Sequence, residues 1–205
     1  MTVTYRAAHP PVIGVDIALD LSMTSVATAT REGRLVRIRL EYLAGADNAR
    51  IVAGLAGRSQ VVLSTAGPSD TMTAKLKRAG VKVVELNRRE AELAENSFAI
   101  ELFKAQKAKV RLPNDELLKE AVKHARMRRT RAGNLLDKLL SASDLAPFTA
   151  CAYAFLGMTR GKQRAPRIYG LVTPDEVRER WRREDAAWDE DETPGGESVG
   201  LAKGN

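Results

Sequence analysis

Apolar and small residues run from Val12 to Ala18 with a single acid among them, in the stretch Val12-Ile-Gly-Val-Asp-Ile-Ala-Leu-Asp20. Such a run predicts a strand buried on both faces, a costly place for the carboxylate of Asp16 unless a cation compensates it. An acid that merely ends a short strand and binds backbone in a turn would need no cation, so both readings of Asp16 stand on these residues. Leu19 to Ser22 reads as the turn, and Thr24 to Thr30, rich in β-branched residues, as the returning strand. Glu32-Gly33 turns the chain again into Leu35 to Leu43, where apolar and charged residues alternate and one face must be wet. Three strands on short turns predict an antiparallel meander.

Beyond the meander the period changes. Asp47 to Leu55 predicts a short helix ending at Gly57, and Gln60 to Thr65 a buried strand broken by Ala66-Gly67-Pro68. Ser69 or Asp70 can cap a helix running to Gly80, and Val81 to Leu86 is a fifth strand. The order βββαβαβ predicts a mixed sheet in which the later strands pair in parallel with the first and helices cover its faces.

Next come an amphipathic helix from Arg88 to about Gln106, an extended piece from Lys109 to Leu112, and a helix from Asn114 to about Arg126. Asn114 is the predicted cap of this last helix, with Asp115 and Glu116 in its first turn. Ser141 to Asp144 then opens a small-residue helix from Leu145 to Met158, which carries Cys151 as a core thiol. Four segments follow from this reading. They are a loose leader over 1–11, one domain over 12–160, a basic connector and charged helix over 161–188, and a disordered acidic tail over 189–205. Thr173-Pro-Asp-Glu176 supplies a capping box for the charged helix.

Composition narrows the chemistry. The 205 residues carry a formal charge of +7, which favours a polyanionic partner, most simply nucleic acid. From Lys119 to Arg131 there are six basic residues (Lys119, Lys123, Arg126, Arg128, Arg129 and Arg131) against one acid, Glu120. Such a run reads either as a solvated helix face or as a phosphate-binding surface. No apolar run reaches membrane-spanning length and no signal peptide opens the chain, so a cytoplasmic protein is expected. One cysteine excludes an internal disulfide and a cysteine zinc cluster, and only His9 and His124 could serve imidazole chemistry. A metal site would then be built from oxygen ligands, which points to magnesium or manganese.

Residues 12 to 159 resemble the nuclease domain of phage terminase large subunits, in the version found in tailed phages of actinobacteria. The resemblance is carried by Val12 to Asp20, by Val61-Val-Leu-Ser-Thr-Ala-Gly-Pro68, by Arg78-Ala-Gly-Val-Lys-Val-Val84 and by Ser143-Asp-Leu-Ala-Pro-Phe-Thr-Ala-Cys-Ala152. It implies a ribonuclease H-like fold with a mixed five-stranded sheet flanked by helices. It also implies a two-metal-ion endonuclease that cuts concatemeric DNA in genome packaging, largely without regard to sequence.

In the family, acids on the first strand, at the end of the fourth and at the start of the last helix hold two Mg2+ or Mn2+ ions. Asp16 matches the first position and Asp144 the third. Ser64 stands at the second, where a neutral hydroxyl is a weaker ligand than a carboxylate, so one ion would be weakly held. Asp20 or Asp70 could supply the missing charge, with Asp137 a further candidate. The run from Lys119 to Arg131, preceded by Lys104, Lys107 and Lys109, becomes a track for the backbone of double-stranded DNA. A terminase ATPase part, a small subunit and a portal become the expected partners. The phosphate loop Gly-x-x-x-x-Gly-Lys-Ser/Thr is missing, so the ATPase part is not in this sequence. Ser64 also supports an alternative, a catalytically weakened nuclease-like domain that binds DNA or docks on the motor. An actin-like or sugar-kinase ATPase shares the opening hairpin but would need glycine-rich phosphate loops that this sequence lacks.

Overall fold

Val12–Ile17 forms strand β1 and is buried at every position, Asp16 included, as a central strand covered on both faces must be. Its neighbour β2 (Met23–Glu32) returns antiparallel, and β3 (Leu35–Ala44) continues the meander with Arg39 and Glu41 on the wet face. The computed structural model describes residues 10–102, 109–130, 133–138, 141 and 144–160, all within one compact unit. Residues 1–9 of the expected leader, the basic connector, the charged helix and the acidic tail lie outside them, as do Lys104, Lys107 and Arg131.

The remaining elements are α1 (Ala49–Ala56), β4 (Gln60–Ser64), α2 (Asp70–Arg78), β5 (Val83–Leu86), α3 (Arg88–Leu102), β6 (Val110–Arg111), α4 (Glu116–His124), β7 (Met127–Thr130), β8 (Gly133–Leu136) and α5 (Ala146–Thr159). The large sheet runs β5-β4-β1-β2-β3-β6, with β4 parallel to β1 and β5 parallel to β4. The five predicted strands are all present. A sixth, β6, joins the outer edge of β3 where the Val36 amide donates to the Lys109 carbonyl at 2.7 Å.

Strand alternation divides the core into two layers. Ile13, Val15 and Ile17 face α1 and α2 together with Val61 and Leu63. Val12 and Val62 face the other side, where α3, α4 and α5 pack. Helix α5 lies between the sheet and α3, and every residue from Ala146 to Phe155 is buried. Its small residues follow from that position. A Cβ added at Gly14 would stand 2.1 Å from the Ala150 carbonyl oxygen and 2.4 Å from the Ala154 amide nitrogen, so β1 and α5 touch backbone to backbone. On the far side of α5, Phe148 and Phe155 enclose Phe98 of α3, with ring centroids 5.3 and 5.6 Å from it. Each buried ring of this kind contributes roughly 2 to 3 kcal/mol.

Two local expectations change. The predicted helix from Asn114 begins one turn position later, because the Asp115 carboxylate accepts from the Leu118 amide at 2.9 Å and so becomes the cap. It also ends at His124, and the basic run leaves the helix at Arg126 to enter the β7–β8 hairpin, which forms its own two-stranded sheet. Helix α2 stops as predicted: Gly80 adopts φ +78°, its amide donates to the Lys77 carbonyl, and the Val81 amide donates to the Leu76 carbonyl. Those paired bonds close the helix with a left-handed residue, which glycine adopts without strain.

Candidate functional site

Parallel pairing sets β1 and β4 with their C-terminal ends together. Gly14 lies opposite Val62, and continuing that register by two residues places Asp16 beside Ser64 on the face that α5 covers. Crevices beyond the carboxyl ends of parallel strands are where such sheets bind ligands. A cleft of about 680 Å³ opens there, lined by Asp16, Asp20 and Ser64 from the sheet and its turn, by Glu92 and Glu95 of α3, by Asp137 and Lys138 after β8, and by Asp144 and Tyr153 at α5. Asp16 and Asp144, the first and third predicted ligands, therefore share one cavity. Six carboxylates line it against two cations, Arg88 and Lys138. In a chain of net charge +7 that local excess of acid favours a cation over an anion.

Asp16 is 5% exposed, and both its oxygens are engaged. Oδ1 accepts from the Ser69 hydroxyl at 2.7 Å, and Oδ2 from Lys138 Nζ at 3.0 Å. Ser69 precedes α2, but its hydroxyl makes no helix cap; it serves Asp16 instead. The same Lys138 ammonium stands 3.2 Å from Glu95 Oε1, which also accepts from Thr149 Oγ1 at 3.3 Å and from the Tyr153 hydroxyl at 3.5 Å. Burial raises the Glu95 carboxyl above its ordinary range, and the neighbouring Asp16 charge adds to that, while Lys138 works the other way. For Lys138, burial disfavours the charge, but Asp16 and Glu95 together overcome it and hold the ammonium protonated beyond the usual lysine range.

Asp144 sits at the head of α5, and its Oδ1 accepts from the Ala146 amide at 3.0 Å. Shielding from water raises its carboxyl, and the Asp16 and Asp20 charges push the same way. Asp20 lies in the β1–β2 turn, where the Ser22 side chain first, and then the Ser22 amide that donates to Oδ1 at 3.0 Å, hold the carboxyl below the usual range. The turn passes through Leu21 at φ +61°, a left-handed conformation unusual for a leucine. Ser64 is 4% exposed, and its hydroxyl accepts from the Ala66 amide at 3.1 Å.

Asp70 is exposed in the first turn of α2 and does not line the cleft, whereas Asp137 does. Of the predicted basic track, Lys119 and Lys123 lie on α4, where each meets an acid three residues earlier, Glu116 and Glu120. Arg126 follows the helix, and Arg128 and Arg129 belong to β7. Lys109 is exposed beside β6. Glu95, Lys138 and Ser69 were not anticipated. Glu95 carried a signal, since Ala91, Ala94, Glu95 and Phe98 form the buried stripe of α3 and an acid on that stripe calls for a partner. Lys138 carried none.

The oxygen donors suit a hard divalent ion. Among the described residues no three carboxylate, imidazole or thiol groups stand close enough to hold one. The physical reason is visible: an ammonium already fills the gap between Asp16 and Glu95. The buried pair is thus built around one positive charge, with Lys138 as the stand-in cation, and its two carboxylates are oxygen donors of the kind a hard dication takes.

The fold has solved counterparts. The large terminase nuclease from thermophilic phage G20c is 21% identical over 74% of this chain and 83% of that chain, with a TM-score of 0.56. The nuclease domain of the large terminase of Thermus phage P74-26 is 20% identical over 78% of this chain and 84% of that one, with a TM-score of 0.59. The G20c nuclease with bound magnesium aligns at 22% identity over 74% and 82%, with a TM-score of 0.55. No family model and no curated protein sequence matches the chain. The sheet and its helices therefore have the ribonuclease H-like fold of those domains.

Proposed function

We propose that this chain is a nuclease of the large-terminase type, cutting double-stranded DNA by metal-assisted hydrolysis during phage genome packaging. The observation that carries the reading is the meeting of Asp16 and Asp144, from opposite ends of the domain, in one acid-lined cleft of a basic protein. Asp16 and Asp144, with the Ser64 hydroxyl between them in the family pattern, would hold Mg2+ or Mn2+. When bound, such an ion neutralises charge on the attacking and leaving oxygens of a phosphodiester.

The chain's own groups set the geometry. Ser69 fixes one oxygen of Asp16 and so turns the other toward the cleft. Asp144 is oriented by the Ala146 amide at the start of α5, and Asp20 lines the cleft from the β1–β2 turn. Lys119, Lys123, Arg126, Arg128, Arg129 and Arg131 would hold phosphates, which fixes position without reading sequence. In a packaging setting the partners would be an ATPase part, a small subunit and a portal, in the host cytoplasm.

The test is nicking of supercoiled plasmid by the full chain with manganese, against the same protein in EDTA. Cleavage only with the metal supports the reading. A second reading, a DNA-binding or motor-docking module without catalysis, is favoured by the hydroxyl at Ser64 and by the lysine held on Asp16. DNA binding with no cleavage under any metal would establish it instead.

A further inference from the structure

Glu95 is a buried carboxylate that the terminase resemblance leaves unassigned. It comes from α3, after β5, whereas the acid missing at Ser64 belongs to the end of β4. It is 4% exposed and Asp16 5%, yet the two share a single ammonium at 3.2 and 3.0 Å. Two carboxylates around one lysine leave negative charge in a cleft that Asp20 and Asp144 make more negative still. On the same sheet face, directly across from Asp16 in the β1–β2 pair, Ser25 holds a fully buried hydroxyl with no hydrogen-bond partner among the described residues. Such a hydroxyl leaves polar capacity beside Asp16 that an ion or its water can satisfy.

Resting on the nuclease reading, we propose that Glu95 is the second metal-binding carboxylate of this protein, replacing the acid absent at position 64, and that Lys138 holds the Asp16–Glu95 gap until a divalent cation displaces it. The ligand class is a hard dication with oxygen preference, magnesium or manganese. A dication between two carboxylates gains more Coulomb energy than an ammonium does, and that gain is what works against the cost of stripping water from the ion. Lysine suits the exchange because its charge is compact and its stem has four flexible carbons. Its side chain is 29% exposed, so it can swing into the cleft without disturbing the core. Thr149 and Tyr153 keep Glu95 in place when the ammonium leaves.

The test is manganese binding to the full chain without nucleic acid, followed by the electron paramagnetic resonance of the free ion. Glu95→Gln is expected to weaken binding about tenfold or more, and Lys138→Met to strengthen it about tenfold. Manganese bound to the wild type is also expected to broaden the ring resonances of Tyr153, a readout that survives if either variant fails to fold. Binding in Glu95→Gln equal to wild type, weaker binding in Lys138→Met, or sharp Tyr153 signals with manganese bound would each overturn the proposal. Binding lost in Asp16→Asn but kept in Glu95→Gln would sink this assignment and leave the nuclease reading standing. A wild type that binds no manganese would overturn both.

Discussion

Lys138 Nζ lies 3.0 Å from Asp16 Oδ2, joining the first strand of the large sheet to the segment after the separate β7–β8 hairpin. The bond explains how β1 tolerates a carboxylate in an otherwise apolar run. It also ties the end of the hairpin to the sheet, so the cleft has a defined floor.

Removing that ammonium should cost stability. In Lys138→Met, Asp16 and Glu95 face each other buried and uncompensated. Breaking a fully buried pair costs roughly 3 to 5 kcal/mol; because the lysine head is partly wet, about 2 to 3 kcal/mol is expected here. Glu95→Gln in the same background should restore part of the loss. Urea unfolding of the single and double variants measures both.

Gly14→Ala should be worse than most core changes. The new methyl would meet the backbone of α5 at Ala150 and Ala154, and backbone cannot swing aside as a flexible side chain can. A loss of about 3 kcal/mol or more is expected from the forced separation of β1 and α5. Because that contact positions Asp16 against Asp144, activity should fall even in the fraction that folds. Thermal unfolding and specific activity per folded molecule check the two effects.

Cys151 is fully buried in α5, and burial pushes its thiol well above the ordinary cysteine range. A thiolate is the reactive form, so the native protein should not react with a thiol reagent at pH 8. Complete reaction should follow in denaturant. Fast labelling of the native chain would contradict the packing of α5.

The acids on α4 should not prevent DNA from using its lysines, since exposed ion pairs contribute little. Lys119→Ala combined with Lys123→Ala should weaken DNA binding and lower the slope of log affinity against log salt by about 0.9 per lost phosphate contact. Affinity measured between low and physiological salt gives that slope. An unchanged slope would place the DNA elsewhere.

Much of this was readable in advance, for identifiable reasons. The sheet was legible because β1 to β5 alternate or bury their residues in the ordinary way and glycine closes α2. Asp16 was legible because an acid in an apolar strand is conspicuous. The β7–β8 hairpin was not, because Met127 to Thr130 offers three polar residues in four and continues the charge pattern of α4. Glu95 was partly legible, since it falls on the buried stripe of α3, but Glu101 shares that stripe and the pattern alone does not say which acid reaches the cleft. Lys138 was hidden because its partners are long-range, and no local pattern records them.

The most direct test of the account is manganese-dependent nicking by Asp16→Asn, Asp144→Asn and the two combined. Groups that act as one unit do not add, so each single change should reduce the rate about a thousandfold or more and the pair should reduce it no further. Wild-type nicking by either single variant would contradict the shared site.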